Sequence, residues 1–375
     1  MKNLKSIIGL VLIIVTCIAC GQNVTERKDT IVCLDIEKNI GFKNSKNLKP
    51  DDLKIVQLEK GNSDFDFKNS RILDVSGDTV FMLNNDFIST KIIMFSLSTG
   101  KYIGSINHQG EGPGEYRFIF GAFIDSKQQS VLIPDIDRPK VYEYSLTTDS
   151  LINSYERPDV SLRIQPIGNL ITGVNFGEPS EEGLNILQCN SKFEVLDSLF
   201  IKDLLMIPFI TIWAQSSTKG TIFSNDTLSV IDSGHLNPIV SINLGKYKLN
   251  ETEARETIEG MIYSDEPDSE YLKRLNNFII IRDFQFTDNN VLVTYIYGNN
   301  NYSDLYDMQS GKILNRFESE KDFNGLGRIV LENDTRLPLT VEKPFTKDSR
   351  WYGLSGINEP SESQSKQNII VSFKI

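Results

Sequence analysis

The chain has 375 residues, 39% hydrophobic and 24% charged, an ordinary composition for a folded globular protein. Its formal net charge is −11 and no run of basic residues occurs after residue 5, which excludes a phosphate-binding face built on clustered Lys and Arg, and with it a nucleic-acid partner. The acidity reads as a solvated surface that maintains solubility. The 13 Tyr and 21 Phe favour β-structure, because aromatic side chains suit a pleated, half-buried surface.

Residues 1–19 read as a secretory signal: Lys2 and Lys5 form a charged start, and residues 7–19 follow without a charge. That run is too short for a bilayer core of roughly 30 Å, which needs about 20 helical residues. At its end, Cys17-Ile18-Ala19-Cys20-Gly21 resembles a bacterial lipobox, although Cys17 stands where Leu is usual. The resemblance implies that Cys20 is lipidated and becomes the N-terminus, tethering the chain to a membrane without a spanning helix. Of the four cysteines, Cys33 and Cys189 then remain. They lie far apart in the repeat order, whereas a disulfide needs Cα atoms within about 7 Å, so two buried free thiols are expected.

A polar tether occupies residues 20–30, and residues 31–36 and 53–58 read as strands. From Arg71 onward an apolar strand running into a polar turn recurs six times. The residue ahead of the turn is Phe95, Tyr144, Cys189, Ile231, Tyr306 and Phe373 in succession. The first four of these stand about 40 to 50 residues apart, the spacing of propeller blades. Another apolar run precedes each, so every unit supplies several antiparallel strands parted by Gly, Asn and Asp turns. Small sheets repeated radially make a β-propeller. The fold predicted is all-β, a single six-bladed domain over 31–375 with four-stranded antiparallel blades.

The two longer steps are read as insertions. Residues 250–277 carry apolar positions at helical spacing, broken near Glu266-Pro267, and predict a short helical insertion. Arg336-Leu337-Pro338 and the polar residues 358–367 predict an exposed loop. The sixth unit stops at Ile375 before an outer strand, and an open edge is a liability. One of the two early strands, 31–36 or 53–58, is therefore expected to complete the last blade.

The sharpest local motif is Gly110-Glu111-Gly112-Pro113-Gly114-Glu115-Tyr116. A glycine loop cradles phosphate only where a helix N-terminus supplies aligned N–H groups. Here Pro113 removes a donor, two carboxylates repel anions, and another strand pattern follows. The motif reads instead as a tight inter-blade connection, in which glycines reach positive φ and Pro113 fixes a turn. It resembles the linker of NHL-like repeats. Together with the lipobox, the chain is similar to the six-bladed β-propeller lipoproteins abundant in Bacteroidetes. Residues 75–146 carry the match best, including Ile103-Gly104-Ser105-Ile106 and Leu132-Ile133-Pro134-Asp135, while later units match only in strand rhythm. The resemblance implies no catalytic residues. It places the protein in the cell envelope, and because Gly21-Gln22-Asn23 lacks an acidic cluster, on the outer membrane facing the periplasm.

Chemistry-bearing residues are sparse. With only His108 and His235, a zinc site held by several His cannot be assembled without carboxylates, and neither His accompanies a Gly-x-Ser-x-Gly elbow. Neither remaining Cys has a nearby His, which argues against a cysteine nucleophile. Asp135 and Asp137 are the best-placed carboxylates, but read more simply as turn residues. No catalytic residue, resident metal or cofactor is predicted. The reading is a non-enzymatic binding or scaffold module for a peptide, glycan or protein. The alternative is a lactonase-type hydrolase or lyase holding a divalent cation such as calcium in the central channel.

Overall fold

In the computed structural model the residues described are 31–43, 47–59, 69–85, 89–119, 121–135, 137–157, 163–167, 170–176, 183–202, 213–215, 220–224, 226–232, 235–250, 252–253, 256, 273–320, 327–332, 339–357 and 367–375. Among them the strands form six sheets that follow one another along the chain. The first comprises Ser70–Ser76, Thr79–Asn85, Thr90–Ser96 and Tyr102–Ile106, each antiparallel to the next. The second (Phe123–Asp125 to Leu151–Glu156), third (Arg163–Ile167 to Val195–Lys202) and fifth (Ile280–Phe286 to Ile313–Glu320) repeat this four-stranded order. The fourth and sixth have five strands each.

Why such strands form follows from what covers them. A sheet flanked by neighbours on both faces buries both sides of its strands, and its middle strands read as near-continuous apolar runs. Asn290–Tyr297 shows this, with six consecutive buried residues, whereas the outer strand Leu151–Glu156 is almost wholly exposed. Apolar clusters fill the spaces between sheets. Leu73, Phe81 and Ile92 of the first pack with Val131 and Ile133 of the second, and Leu132 and Val141 of the second with Cys189 and Phe193 of the third. Strands Arg163–Ile167 and Gly220–Ser224 join the third to the fourth. Further clusters link the fourth to the fifth, the fifth to the sixth, and, through Phe345 and Leu354 against Ile72 and Val80, the sixth back to the first.

The six recurring residues all fall on third strands counted from the start of the unit (in the sixth sheet, from Leu339–Lys347), and each is at most 2% exposed. The turns after Phe95, Tyr144 and Tyr306 share one construction. Ser96 Oγ accepts the N–H of Thr99 at 3.1 Å, Ser145 Oγ that of Thr148 at 3.1 Å, and Asp307 Oδ1 that of Ser310 at 2.7 Å. Two residues beyond Ser98, one beyond Thr148 and one beyond Ser310, the chain turns left-handed at Gly100, Asp149 and Gly311. A short side-chain acceptor closing the turn over a residue at positive φ explains the Ser/Asp and Gly/Asp preferences of the repeat.

The N-terminal segment is a strap across four sheets. Val32–Asp35 adds to the fourth sheet as a fifth strand, parallel to His235–Asn243. A one-turn helix, Ile36–Asn39, follows, with Asp35 accepting the N–H of Lys38. At the fifth sheet the carbonyls of Ile40 and Phe42 accept hydrogen bonds of 2.9 and 3.2 Å from Arg316 Nη1. Leu48 then bonds the backbone of Val330 and Glu332. Asp51–Gln57 pairs antiparallel with Gln367–Lys374, the place beside Phe373 that Tyr102–Ile106 holds beside Phe95. Of the two early strands, the second thus completes the sixth sheet and the first widens the fourth. Finally the Glu59 N–H reaches the Gly100 carbonyl at 2.8 Å in the first sheet.

Arg316 fastens the strap, two of its five hydrogen bonds going to strap carbonyls and three to the fifth sheet. Nε and Nη2 bond both oxygens of Asp304 at 2.7 Å, Nη2 also reaches Tyr295 Oη at 2.8 Å, and Nη1 takes the two strap carbonyls. Asp304 accepts further bonds from the hydroxyls of Tyr295 and Tyr306. The pair is almost fully buried, at 4% and 0% exposure. Burial, and then the Asp304 charge, push both tyrosine hydroxyls far above their ordinary range.

Two expectations differ from the structure. Cys189 is buried, but Cys33 is exposed: on Val32–Asp35 it alternates with Leu34, which takes the inward side. Two sheets have five strands rather than four: the fourth because Val32–Asp35 adds beyond its outer strand, and the sixth because it carries an extra hairpin strand, Arg328–Leu331. Cys20, the tether and the 358–366 loop lie outside the described residues, as does most of the 250–277 insertion. Val32–Ile375 forms one compact unit. No helix among the described residues is long and apolar enough to cross a membrane.

Breaking a buried pair by removing one partner costs about 3–5 kcal/mol, because the other charge is left uncompensated. Arg316→Ala is expected to lose stability on that scale in urea unfolding, and Arg316→Lys, which keeps the charge but not five donors, to fall between. A loss for Arg316→Ala below about 1 kcal/mol, the level of an exposed pair, would contradict this role.

Candidate functional site

The glycine motif lies between Tyr102–Ile106, the outer strand of the first sheet, and Phe123–Asp125, which opens the second. Its ends close on themselves: the Gly110 N–H donates to the Tyr116 carbonyl at 2.9 Å and the Tyr116 N–H to the His108 carbonyl at 3.0 Å. Between them, the Glu115 N–H reaches the Gly112 carbonyl at 3.2 Å across Pro113 and Gly114, with Gly114 at φ +87. Pro followed by a residue at positive φ is a type II turn. Only Gly114 needs the left-handed conformation. Gly110 and Gly112 leave room for the Glu115 carboxylate, which a Cβ on Gly110 would displace and one on Gly112 would press at 3.0 Å.

That carboxylate decides the chemistry of the loop. Glu115 Oε2 accepts the Gly112 N–H at 2.7 Å, so the concavity a phosphate would use holds the loop's own anion. From the second sheet, Arg138 donates to the carbonyls of Glu115 (2.8 Å), Glu111 (3.2 Å) and Gly112 (3.3 Å). Tyr144 Oη donates to the Gly114 carbonyl at 2.5 Å. The buried Tyr116 donates to the Thr90 carbonyl at 2.8 Å in the first sheet. The loop is thereby bonded to both sheets it connects.

The sequence candidates around it are occupied in the same way. Asp135 is fully buried and accepts the N–H groups of Arg117 (3.0 Å), Asp137 (3.1 Å) and Phe118 (3.4 Å). His108 stacks on Tyr144 with centroids 4.5 Å apart, and its Nε2 lies 2.8 Å from Asp149 Oδ1 and 3.0 Å from the Asp149 carbonyl. Both are acceptors, so Nε2 carries the hydrogen. His235 is exposed at the start of an outer strand in the fourth sheet, away from this cluster. Among the described residues no group of three or more His, Cys, Asp or Glu is placed to hold a metal ion. Arg138 and Arg117, which organise the loop, were not singled out by sequence reasoning. Arg138 closes the Pro134-Asp135-Ile136-Asp137-Arg138 turn, where its adjacency to the motif's carbonyls has no local signature.

Glu111 bridges the cations. Its Oε2 accepts from Arg117 Nη2 at 2.7 Å and Arg138 Nη2 at 3.2 Å. The Arg117 hydrogen bond, joined by both positive charges, holds its carboxyl below the ordinary glutamate range.

A family model described as "Domain of unknown function (DUF4934)" matches residues 31–359. No curated protein matches the sequence. A crystal structure of a Bacteroides fragilis protein, whose description is that of an exported protein, aligns with TM-score 0.64 at 14% identity, over 92% of this chain and 100% of that one. A member of the DUF4221 family from Bacteroides vulgatus aligns with TM-score 0.53 at 11% identity, over 87% and 96%. At these identities the likeness is one of fold.

A depressed carboxyl makes the loop acid-sensitive in a definite direction. The folded value of Glu111 lies below its unfolded value, so its stabilisation is complete above the ordinary glutamate range and is lost as pH falls through the folded value. Glu111→Gln should melt below wild type at neutral pH, with the difference closing between about pH 5 and pH 3. A difference in Tm that stays constant across that range would remove Glu111 from this role.

Proposed function

The chain belongs to the DUF4934 family, and from that premise and the geometry above we propose that it is an exported six-bladed β-propeller, lipid-anchored through Cys20, that serves as a non-enzymatic binding or scaffold module. Support for six blades comes from the six consecutive sheets and from the packing of the sixth on the first. Support for export comes from the charged and apolar start of the chain and from the fold it shares with the exported B. fragilis protein.

One observation carries the binding role. In the connection between the first and second sheets, Asp135, Glu115 and His108 are all committed to internal partners. Asp135 accepts three backbone N–H groups, Glu115 accepts one, and His108 Nε2 donates to Asp149, so each serves an internal contact that holds the connection together. The site is built for rigidity, and a rigid scaffold positions loops and edges for recognition. The module stands on the outer membrane facing the periplasm, and its partner is a peptide, a glycan or another protein.

Two measurements test this reading. In cell fractionation, Cys20→Ala should move the protein from the membrane to the soluble fraction, and unchanged fractionation would count against lipidation. Elemental analysis of the purified protein should find no stoichiometric calcium or zinc. A divalent ion retained through dialysis would favour the hydrolase alternative.

A further inference from the structure

The strap described above covers the outer side of the fourth, fifth and sixth sheets and ends on the first. Among the described residues, the outer strands of the first, second, third and fifth sheets end their sheets with no strand beside them; the strap still bonds the first at Tyr102 and the fifth at Arg316, which leaves Leu151–Glu156 and Val195–Lys202. Leu151–Glu156 and Val195–Lys202 carry five of the nine exposed large hydrophobic side chains found among the described residues: Leu151 (43%), Ile152 (53%), Val195 (47%), Leu196 (59%) and Phe200 (41%). Natural sheets blunt such edges with charge, Pro, bulges or a covering segment, because an apolar edge with unpaired backbone groups recruits another strand.

Two further observations point to strand addition. The first is that this chain already uses it: Val32–Asp35 joins the outer edge of the fourth sheet in parallel as a fifth strand, and Asp51–Gln57, from a distant part of the chain, supplies the sixth sheet's outer strand antiparallel. The second is a shared backbone device. On the second sheet the Ser154 N–H donates to the side chain just before it, Asn153 Oδ1, at 2.9 Å. On the third the Ser198 N–H donates to Asp197 Oδ1 at 2.8 Å. An amide that bonds the preceding side chain is not spent on the neighbouring strand. It is an edge donor held locally, and an incoming carbonyl can replace the side chain.

Charge selects the occupant. Residues 149–156 and 190–202 include Asp149, Glu156, Glu194 and Asp197 against two cations, Lys192 and Lys202, with Glu156 also paired to Lys140 of the neighbouring strand. With a net charge of −11 on each chain, a second copy is repelled from this edge and a basic segment is attracted. We propose that the outer strands Leu151–Glu156 and Val195–Lys202 are docking edges for an extended segment of a partner protein, with apolar residues at alternate positions and Lys or Arg between them, which adds as a fifth strand. Main-chain bonds supply the affinity and the alternating side chains the selectivity. This narrows the binding role proposed above to one class of partner, and it holds whether or not Cys20 is lipidated.

The test titrates the full chain carrying Cys20→Ala with a fluorescent nine-residue peptide of alternating Lys and Val, followed by anisotropy. Saturable binding is expected, at least tenfold tighter than for the alternating Glu and Val peptide, and weaker as salt is raised. The double variant Ser154→Pro, Ser198→Pro removes the two edge donors without touching a ladder bond, since Pro is tolerated where the N–H faces away from the sheet. It should bind at least tenfold more weakly, with an unchanged circular dichroism spectrum. Should that variant misfold, Ile152→Lys with Leu196→Lys places like charge against the probe and should weaken it equally. No saturable binding, or equal binding by wild type and the variants, overturns the proposal. So does a concentration-dependent dimer that the Pro variant abolishes, because the occupant is then a second copy. Fractionation of Cys20→Ala and the metal analysis are independent of this titration, so failure here leaves the scaffold reading to be judged on those measurements.

Discussion

The five hydrogen bonds of Arg316 are the point on which the arrangement of the strap depends. A guanidinium and a carboxylate taken out of water each forfeit several kcal/mol of hydration. The pair is tolerable only if every donor and acceptor finds a partner in place, and here every Arg316 N–H does. Two of those partners are not on the fifth sheet at all; they are carbonyls of Ile40 and Phe42. The fifth sheet therefore cannot satisfy its own buried ion pair without the strap. Position in the sequence turns this local requirement into a global one. Residues on either side of the clamp form Val32–Asp35 and Asp51–Gln57, so fixing the middle of the segment places strands on the sheets to each side.

The opposite side of the unit uses a different device for the same problem. Between the first and second sheets no strap runs, and the connection itself is made rigid. The glycine motif folds around its own Glu115 carboxylate and is tied by Tyr116 to the first sheet and by Arg138 and Tyr144 to the second. Both devices use an arginine that donates to main-chain carbonyls of a passing segment, a role that needs the planar, multi-donor guanidinium and that lysine's compact ammonium cannot fill. They differ in exposure. Arg316 is buried with its counter-ion, whereas Glu111, which bridges Arg117 and Arg138, is largely exposed. The first is a large stability term insensitive to salt; the second is a modest one that salt and acid both weaken.

How much of this was legible in the sequence depended on whether the cause was local. The six recurring residues could be found because a strand buried on both faces leaves an apolar run, and the turn after it needs Ser, Asn or Asp followed by a residue able to turn left-handed. Both signals lie within a few positions. The glycine motif was legible as a connection but not in its detail, since the reason for Gly110 and Gly112 is the Glu115 side chain folded back over them. Either early strand was a sound choice to complete the sixth sheet, because edge preference is not encoded in a strand's own residues. Cys33 was expected to be a buried free thiol, yet strand alternation on the outermost position of a sheet sends it outward. The Asp304–Arg316 pair had no signature at all: its partners come from two strands and from a segment more than 270 positions earlier in the chain.

The strap and the exposed edges are two consequences of one geometry. Sheets packed face to face bury their faces and leave their outer edges to solvent, each with a row of backbone donors and acceptors. A single short segment cannot border six sheets. In this chain it borders four, and the sequence treats the remainder differently. Where the strap lies, its own Leu34 and Ile36 are fully buried in the cluster between the fourth and fifth sheets, while Ile55 on it stays exposed. Where it does not, apolar groups of the same size stand exposed beside carboxylates, and the edge amides at Ser154 and Ser198 turn to the side chains that precede them. An edge meant only for water gains nothing from Leu151, Ile152, Leu196 and Phe200. Such residues are retained against the pressure of aggregation when something else pairs with them, and the self-bonded amides are the mild form of protection that leaves an edge open to the right strand while disfavouring casual ones.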